Sequence, residues 1–263
     1  MVNKEEKNLP KGMLYVVGTG PGRVEHITPA AQEAIRNSDV IVGYDTYIDL
    51  IPELLSGKNV MSTGMTQEVD RCRKAVELAL DNQVVTVISG GDPGVYAMAG
   101  LVFELLQSEE KKRPGQPLPR VLVIPGISAL NASASRLGAP LMHDFACISL
   151  SDRLTPWNII EKRLHAAAGA DFVIVLYNPR SKGRAGHINR ARGIIGKYRA
   201  GSTVVGIVKG AMREHETVIV TDLESMKDSD IDMQTTVIFG NSRTFVWNDL
   251  MITPRGYENK FEI

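Results

Sequence analysis

Apolar residues along the chain fall into short β-branched runs that alternate with longer segments of helical spacing. Runs of this kind are typical of strands buried on both faces, as in parallel sheets. The predicted strands are residues 13–17, 39–43, 84–89, 121–124, 146–150, 171–176, 202–208, 216–221 and 235–239, the last two antiparallel. The spacing predicts helices over residues 29–37, 68–82 and 157–168, so the chain has the alternation of an α/β protein.

The third of these strands breaks abruptly into Gly90, Gly91, Asp92 and Pro93. In an open α/β sheet, ligands bind beyond the carboxyl ends of strands, so we expect a site at this break. The two glycines would let the backbone approach a ligand, and Asp92 would offer an acceptor. Pro93 would set the first turn of the helix that follows. An ordinary strand-to-helix turn explains the same residues equally well.

Two other turns follow predicted strands. Residues 18–22 form a glycine-rich loop, but the dinucleotide-binding fingerprint requires glycine at the position of Arg23, and Pro21 stiffens the loop. This disfavours a nucleotide-dependent oxidoreductase. Residues 125–135 lead into a helix of small side chains, which leaves room for a ligand at the helix N-terminus or allows close helix packing.

Residues 180–199 are the most charge-biased segment, with seven Lys or Arg and no Asp or Glu. Guanidinium groups bind carboxylates and phosphates with paired hydrogen bonds, so a polyanionic ligand would suit this face. A solvated basic helix is the alternative.

Composition limits the remaining possibilities. A chain of 263 residues, 43% of them hydrophobic, is long enough for two compact units, and we place their boundary after residue 141, giving units of residues 12–141 and 142–257. Thirty basic residues balance thirty acidic ones, so nothing global indicates a nucleic acid or a membrane as partner. Cys72 and Cys147 form no metal-like pair or disulfide framework, and no apolar run is long enough to span a membrane. We expect a protein of the reducing cytoplasm.

Several familiar catalytic signatures are absent. The chain has no Gly-x-Ser-x-Gly, no Walker loop and no zinc-spaced Cys or His pair, so we predict no metal site. Its five histidines are scattered singly, and we expect most to be structural. His143 and His215 are the two beside loops that we expect to face a binding cleft.

Four motifs occur in a fixed order. They are Gly-Thr-Gly-Pro-Gly at 18–22, Ser-Gly-Gly-Asp-Pro at 89–93 with Tyr96, Val-Ile-Pro-Gly-Ile-Ser-Ala at 123–129, and Thr-Thr-Val-Ile at 235–238 with Gly240. Together they resemble the tetrapyrrole methylase family over residues 14–257. Within it, residues 43–47, 176–181 and 240–242 are most similar to the precorrin-3B C17-methyltransferase branch, which acts in cobalamin biosynthesis.

The resemblance implies two α/β domains, each a mixed sheet flanked by helices, with S-adenosylmethionine (SAM) in the cleft between them. It assigns to the cofactor Pro21, Gly90, Gly91, Asp92, Val95, Tyr96, Ser128, Ala129, Tyr177, Asn178, Ala211, Met212 and Thr236. For a substrate fringed with acetate and propionate arms, precorrin-3B or cobalt-precorrin-3, we predict contacts from Tyr44, Asp45, Arg180, Lys182, Arg184 and Arg213. Asp45 and His143 are candidates for the proton transfer that ring contraction requires. The family also implies a homodimer.

Three other functions remain compatible with the sequence. A sibling methylase would act on uroporphyrinogen, another precorrin carbon, diphthine or ribosomal RNA, although RNA would favour a net basic chain. A non-enzymatic tetrapyrrole carrier would bind pigment without SAM. The nucleotide-dependent oxidoreductase is the third.

Overall fold

The computed structural model describes residues 12–181, 183 and 185–262. The chain divides into two compact units, Met1–Ser128 and Ala129–Ile263. This division precedes the boundary predicted after residue 141. The reason is helix α5 (Ala129–Leu137), because its Leu137 packs with Val173 and Val175 in the core of the second unit.

The first unit contains a parallel five-stranded sheet in the order β3-β2-β4-β1-β5. Its strands are β1 (Met13–Gly18), β2 (Val40–Tyr44), β3 (Asn59–Thr63), β4 (Val84–Ser89) and β5 (Arg120–Ile124). Strands β1, β2 and β4 lie inside the sheet and are buried almost throughout, whereas the edge strands β3 and β5 are partly exposed. The β-branched runs therefore predicted the buried strands for the correct physical reason.

The second unit contains a mixed sheet in the order β10-β9-β11-β8-β7. Its strands are β7 (Phe145–Ser149), β8 (Val173–Tyr177), β9 (Val204–Lys209), β10 (Thr217–Asp222) and β11 (Thr235–Phe239). Strands β7 and β8 are parallel, and β10 and β11 run antiparallel to β9, as predicted. The prediction of a mixed sheet thus describes this unit, while the first sheet is parallel.

A small third sheet has the order β12-β13-β6. It joins β6 (Gly138–Ala139) to the hairpin of β12 (Phe245–Trp247) and β13 (Leu250–Ile252). Asn248 and Asp249 connect the two hairpin strands, and both have left-handed backbones with φ of 47° and 62°. Two left-handed residues in succession are typical of the tight turns that match strand twist.

The remaining helices pack on these sheets. They are α1 (Pro29–Asn37), α2 (Asp45–Ile48), α3 (Glu68–Leu80), α4 (Ala99–Lys112), α6 (Trp157–Gly169) and α7 (His187–Ile195). Thr28 caps α1 by accepting a hydrogen bond from the Ala31 amide at 3.2 Å. The prediction for Pro93 was wrong, because α4 begins six positions later, at Ala99.

Cys72 belongs to the core of the first unit. Burial raises the pKa of its thiol to about 11, opposed by the charge of Arg71 and reinforced by that of Glu68. The thiol is therefore protonated and unreactive at neutral pH. No helix in the described part of the chain combines the length and apolarity needed to cross a bilayer.

Replacing Gly126 by alanine is expected to destabilise the first unit by about 3 kcal/mol. A β-carbon there would lie within 2.7 Å of the Gly18 carbonyl group, and backbone of a central strand cannot move aside easily. Urea denaturation followed by circular dichroism measures the effect.

The matched control is Gly193→Ala in α7, where an added β-carbon meets no atom within 4 Å. Removing a helical glycine there is expected to raise stability by about 0.5–1 kcal/mol. Equal stability of wild type and the Gly126 variant would contradict the tight packing.

Candidate active site

Three predicted turns leave the first sheet side by side. Strands β4, β1 and β5 are adjacent and parallel, and Val17 of β1 pairs with Ile88 on one side and Ile124 on the other. The turns at residues 18–22, 89–93 and 125–128 therefore reach the same carboxyl edge. This is the edge at which open α/β sheets bind ligands.

Backbone hydrogen bonds hold the Gly90–Gly91 turn against the first loop. Gly20 and Gly91 exchange two hydrogen bonds of 3.1 and 2.9 Å, and the Thr19 amide donates to the Ser89 carbonyl at 3.0 Å. Gly91 has φ of +70°, which a side chain rarely tolerates. Backbone groups of both loops, and not side chains, therefore hold the turn in place.

Asp92 ties this turn to the third loop. Its Oδ1 accepts a hydrogen bond from the Gly94 amide at 2.8 Å, and its Oδ2 accepts one from the Gly126 amide at 3.2 Å. Each carboxylate oxygen retains a lone pair for a further donor. Asp92 is thus a bridge between loops, a role that its predicted place as a cofactor ligand did not include.

Tyr47 occupies the space beside Gly90. A β-carbon at Gly90 would lie within 2.8 Å of the tyrosine ring, so protein packing requires glycine there. From the sequence we predict that this glycine makes room for a ligand. That reason is corrected, while a cofactor contact by the Gly90 backbone stays a prediction.

The other predicted cofactor residues of the first unit lie on the same loops. Pro21 and Ser128 are buried, Val95 is half-buried, and Tyr96 is 53% exposed. Tyr96 has φ of +53°, an uncommon conformation for a bulky residue. Strain of this kind concentrates at functional sites.

The predicted substrate residues Tyr44 and Asp45 follow β2 at this edge. The Tyr44 ring meets the Tyr47 ring edge-on, with centroids 5.3 Å apart, and Asp45 is exposed at the start of α2. The guanidinium of Arg71 lies 5.7 Å from the centroid of the Tyr44 ring. Sequence reasoning missed Arg71, although it shares the buried face of α3 with Ala75 and Ala79, an unusual place for arginine.

In the second unit, five predicted cofactor residues gather at one edge of the mixed sheet. Strand β11 lies between β8 and β9, pairing Val237 with Leu176 and Thr235 with Lys209. The beginning of β11 therefore lies beside the ends of both neighbours. The residues brought to this edge are Tyr177, Asn178, Ala211, Met212 and Thr236.

Two of these residues have strained backbones. Asn178 and Met212 have φ of 52° and 61°. Asn178 is held by a 3.0 Å hydrogen bond from its Nδ2 to Ser149 Oγ, and the Met212 amide donates to Glu216 Oε2 at 2.5 Å. Specific hydrogen bonds thus maintain the strain at this edge.

Tyr177 contacts the beginning of α5. Its hydroxyl oxygen accepts a hydrogen bond from the Leu130 amide at 2.6 Å, next to the predicted cofactor residue Ala129. One free amide of that helix N-terminus is therefore already satisfied by the protein.

Asp232 fixes the start of β11. It accepts hydrogen bonds from Lys209 at 2.7 Å and from Thr235 Oγ1 at 3.0 Å. Burial alone would raise the pKa of Asp232, but the bonds from Lys209, the Gln234 amide and Thr235 lower it below its ordinary value. The carboxylate is ionised at neutral pH and positions the strand beside Thr236.

The predicted basic face is largely engaged within the protein. Arg180 donates to the Asp228 carbonyl and lies 3.9 Å from its carboxylate, and Arg192 donates to two carbonyls of the loop that precedes β11. Lys182 and Arg184 lie outside the described residues. Arg213 is half-buried in the loop after β9, and its amide donates to the Gly210 carbonyl at 2.9 Å. A substrate contact by Arg180, Lys182, Arg184 or Arg213 stays a prediction.

His143 lies away from the other predicted residues of its unit. It precedes β7, whose parallel partner β8 carries Tyr177 at the opposite end. Its Nδ1 accepts a hydrogen bond from the Asp144 amide at 2.8 Å. His215 is on the loop after β9 and lies at the same edge as Met212. The placement favours His215 over His143 for contact with a ligand of this edge.

The described residues contain no group of three His, Cys, Asp or Glu side chains placed to bind a metal ion.

Comparison with known proteins identifies one family. The model of the family of tetrapyrrole (corrin/porphyrin) methylases matches residues 13–227. The chain is 54% identical to a cobalt-factor III methyltransferase of Priestia megaterium over 96% of its length, and it spans 46% of that longer protein. It is 48% identical to a probable cobalt-factor III C(17)-methyltransferase of Salmonella typhimurium, covering 93% of this chain and 99% of that protein.

A solved structure provides a further comparison. The methyltransferase CobJ superposes with a TM-score of 0.86 at 36% identity, covering 92% of this chain and all of that one. Family match, relatives and architecture agree along most of the sequence, and the chain therefore belongs to the tetrapyrrole methylase family.

Proposed function

We propose that this chain is a SAM-dependent methyltransferase that methylates carbon 17 of a cobalt-containing tetrapyrrole, cobalt-factor III, with ring contraction, in cobalamin biosynthesis. The observation that carries the proposal is the placement of the predicted cofactor residues at one sheet edge in each unit, where Tyr96, Asn178 and Met212 hold left-handed backbones. The names of the two relatives support the substrate and the position of methylation.

The residues at these edges fit SAM. Its adenosine and methionine portions present hydroxyl, amine and carboxylate groups. Such groups suit the main-chain amides and carbonyls of each edge, with the Ser128 hydroxyl in the first unit and the Thr236 hydroxyl in the second. The Asp92 carboxylate is already ordered by two backbone amides and retains accepting capacity for an amine or hydroxyl. This donor set has no strong nucleophile, and methyl transfer does not require one.

When bound, SAM supplies a methyl group that its sulfonium already activates. The protein's task is then to align donor and acceptor, and good alignment is worth about 7–11 kcal/mol. The loops of the first unit suit that task because backbone hydrogen bonds and the Asp92 bridge fix them before any ligand arrives.

Incubation of the purified chain with methyl-labelled SAM and a panel of tetrapyrroles tests the function. We expect labelled product from cobalt-factor III, identified by mass spectrometry, at a higher rate than from precorrin-3B. Methylation of uroporphyrinogen III alone would indicate a sibling enzyme. Pigment binding without methyl transfer would indicate a carrier, and either result would overturn the proposal.

Asp92→Ala is expected to weaken binding of S-adenosylhomocysteine (SAH) roughly 10- to 100-fold, because the turn loses a charged anchor worth about 1.5–3 kcal/mol per hydrogen bond. Isothermal titration calorimetry measures the affinity. Asp39→Ala is the matched control, since Asp39 accepts the Val84 amide at 2.8 Å at the opposite end of β4. Equal SAH affinity of the two variants would remove Asp92 from the cofactor site.

We also propose that the chain forms a homodimer through the β12–β13 hairpin. All three side chains of the edge strand β12 are exposed, including Phe245 at 45% and Trp247 at 59%, and Leu250 is exposed in β13. An apolar edge strand of this kind invites association, and a second copy offers a self-complementary cover.

Trp247→Glu is expected to convert the dimer to monomers in sedimentation velocity, because the charge cannot be buried unpaired. Leu154→Glu is the control, since Leu154 is 97% exposed outside any sheet. A wild-type chain that sediments as a monomer at micromolar concentration would contradict the proposed dimer.

A further inference from the structure

Arg71 is a buried cation in the first unit. It is 4% exposed, and its neighbours on the inner face of α3 are Cys72, Ala75 and Val76. Burying a guanidinium is costly unless its charge is compensated by an acidic partner.

The partners of Arg71 are neutral. Its Nη1 donates to the Thr63 carbonyl at 3.2 Å and to Thr63 Oγ1 at 2.5 Å, while its Nε is buried without a partner. Among the residues that the structure describes, no carboxylate forms an ion pair with it. The other deeply buried guanidinium, Arg199, has a side chain 5% exposed and forms an ion pair with Asp171. Arg71 lacks the compensation that Arg199 has.

The position of Arg71 points to a ligand. Thr63 ends β3 and Tyr44 ends β2, so the guanidinium lies at the carboxyl edge of the parallel sheet. Contacts connect it to the Gly90 turn: its guanidinium lies by the Tyr44 ring, that ring meets Tyr47, and Tyr47 packs on Gly90. A cation and two aromatic rings thus extend along the edge from the predicted cofactor turn.

The segment around Arg71 also exposes apolar side chains. Met61 and Met65 lie two positions before and two positions after Thr63, the residue that Arg71 contacts, and both are exposed. Exposed apolar side chains near a buried cation suit a ligand with an apolar body and acidic arms.

We propose that Arg71 binds a carboxylate arm of the tetrapyrrole substrate, with Tyr44 and Tyr47 beside it. This inference rests on the proposed methyltransferase function and adds a substrate-positioning residue outside the basic segment 180–199. The guanidinium fork supplies paired hydrogen bonds to the carboxylate, and the carboxylate supplies the charge that the protein does not.

Arg71→Met and Arg71→Lys test the proposal in the full chain, with Arg73→Met as matched control. Arg73 is exposed on the same helix and pairs with Asp70 at 3.1 Å. We expect Arg71→Met to raise the KM for cobalt-factor III roughly 10- to 100-fold, with SAH affinity within twofold of wild type. The KM of Arg71→Lys should lie between those of wild type and Arg71→Met, and the KM of Arg73→Met should equal that of wild type.

Thermal unfolding without ligand separates this role from a structural one. Because the charge is uncompensated, its removal is expected to leave the Tm unchanged or higher, whereas loss of a structural residue would lower the Tm and weaken SAH binding as well. An unchanged KM in Arg71→Met, or parallel losses of Tm, SAH affinity and KM, would overturn the inference. A wild-type chain that does not methylate cobalt-factor III would instead refute the proposed function.

Discussion

Close backbone contact among Gly18, Gly91 and Gly126 is the constraint on which the first unit depends. A β-carbon on Gly18 would lie 2.5 Å from the Gly91 carbonyl oxygen and 2.7 Å from the Gly126 amide nitrogen. Three neighbouring parallel strands can deliver their turns to one edge only because these positions lack side chains. The three turns are therefore fixed in position by folding. Binding of a ligand at that edge would require little rearrangement of their backbone.

The second unit prepares its edge by a different means. Strand β11 runs antiparallel to both of its neighbours, so its start lies beside the ends of β8 and β9. Here the backbone is strained at Asn178 and Met212, and the strain is maintained by hydrogen bonds from Asn178 to Ser149 and from Met212 to Glu216. Such conformations persist where the surrounding structure over-determines them, which is the case beside a hydrogen-bonded sheet.

The sequence predicted the buried strands and the three turns well, because β-branched runs and glycine positions are local signals. It failed where distant contacts decide the structure. Pro93 has the residue type of a helix start, yet the turn continues to Met98 before α4 begins. Asp92 and Gly90 lie in a predicted turn, but their contacts with Gly126 and Tyr47 join segments far apart in the chain. The basic segment could not reveal that Arg180 and Arg192 contact the loop before β11.

The two buried arginines illustrate what sequence alone leaves open. Arg199 occurs in the conspicuous basic segment, and Arg71 is a single charge on a helix with acidic and basic neighbours. The composition of the chain makes Arg199 the more conspicuous candidate for binding an anion. The structure favours Arg71 instead, because Arg199 forms an ion pair with Asp171, whereas no described carboxylate pairs with Arg71. A buried charge that has no partner in the folded protein favours binding of an oppositely charged ligand, because pairing with that ligand offsets the free-energy cost of burying the charge. For recognition of an acidic ligand, a buried guanidinium with no described carboxylate partner is therefore better placed than Arg180 and Arg192, which are half-buried and already donate to the protein's own carbonyls.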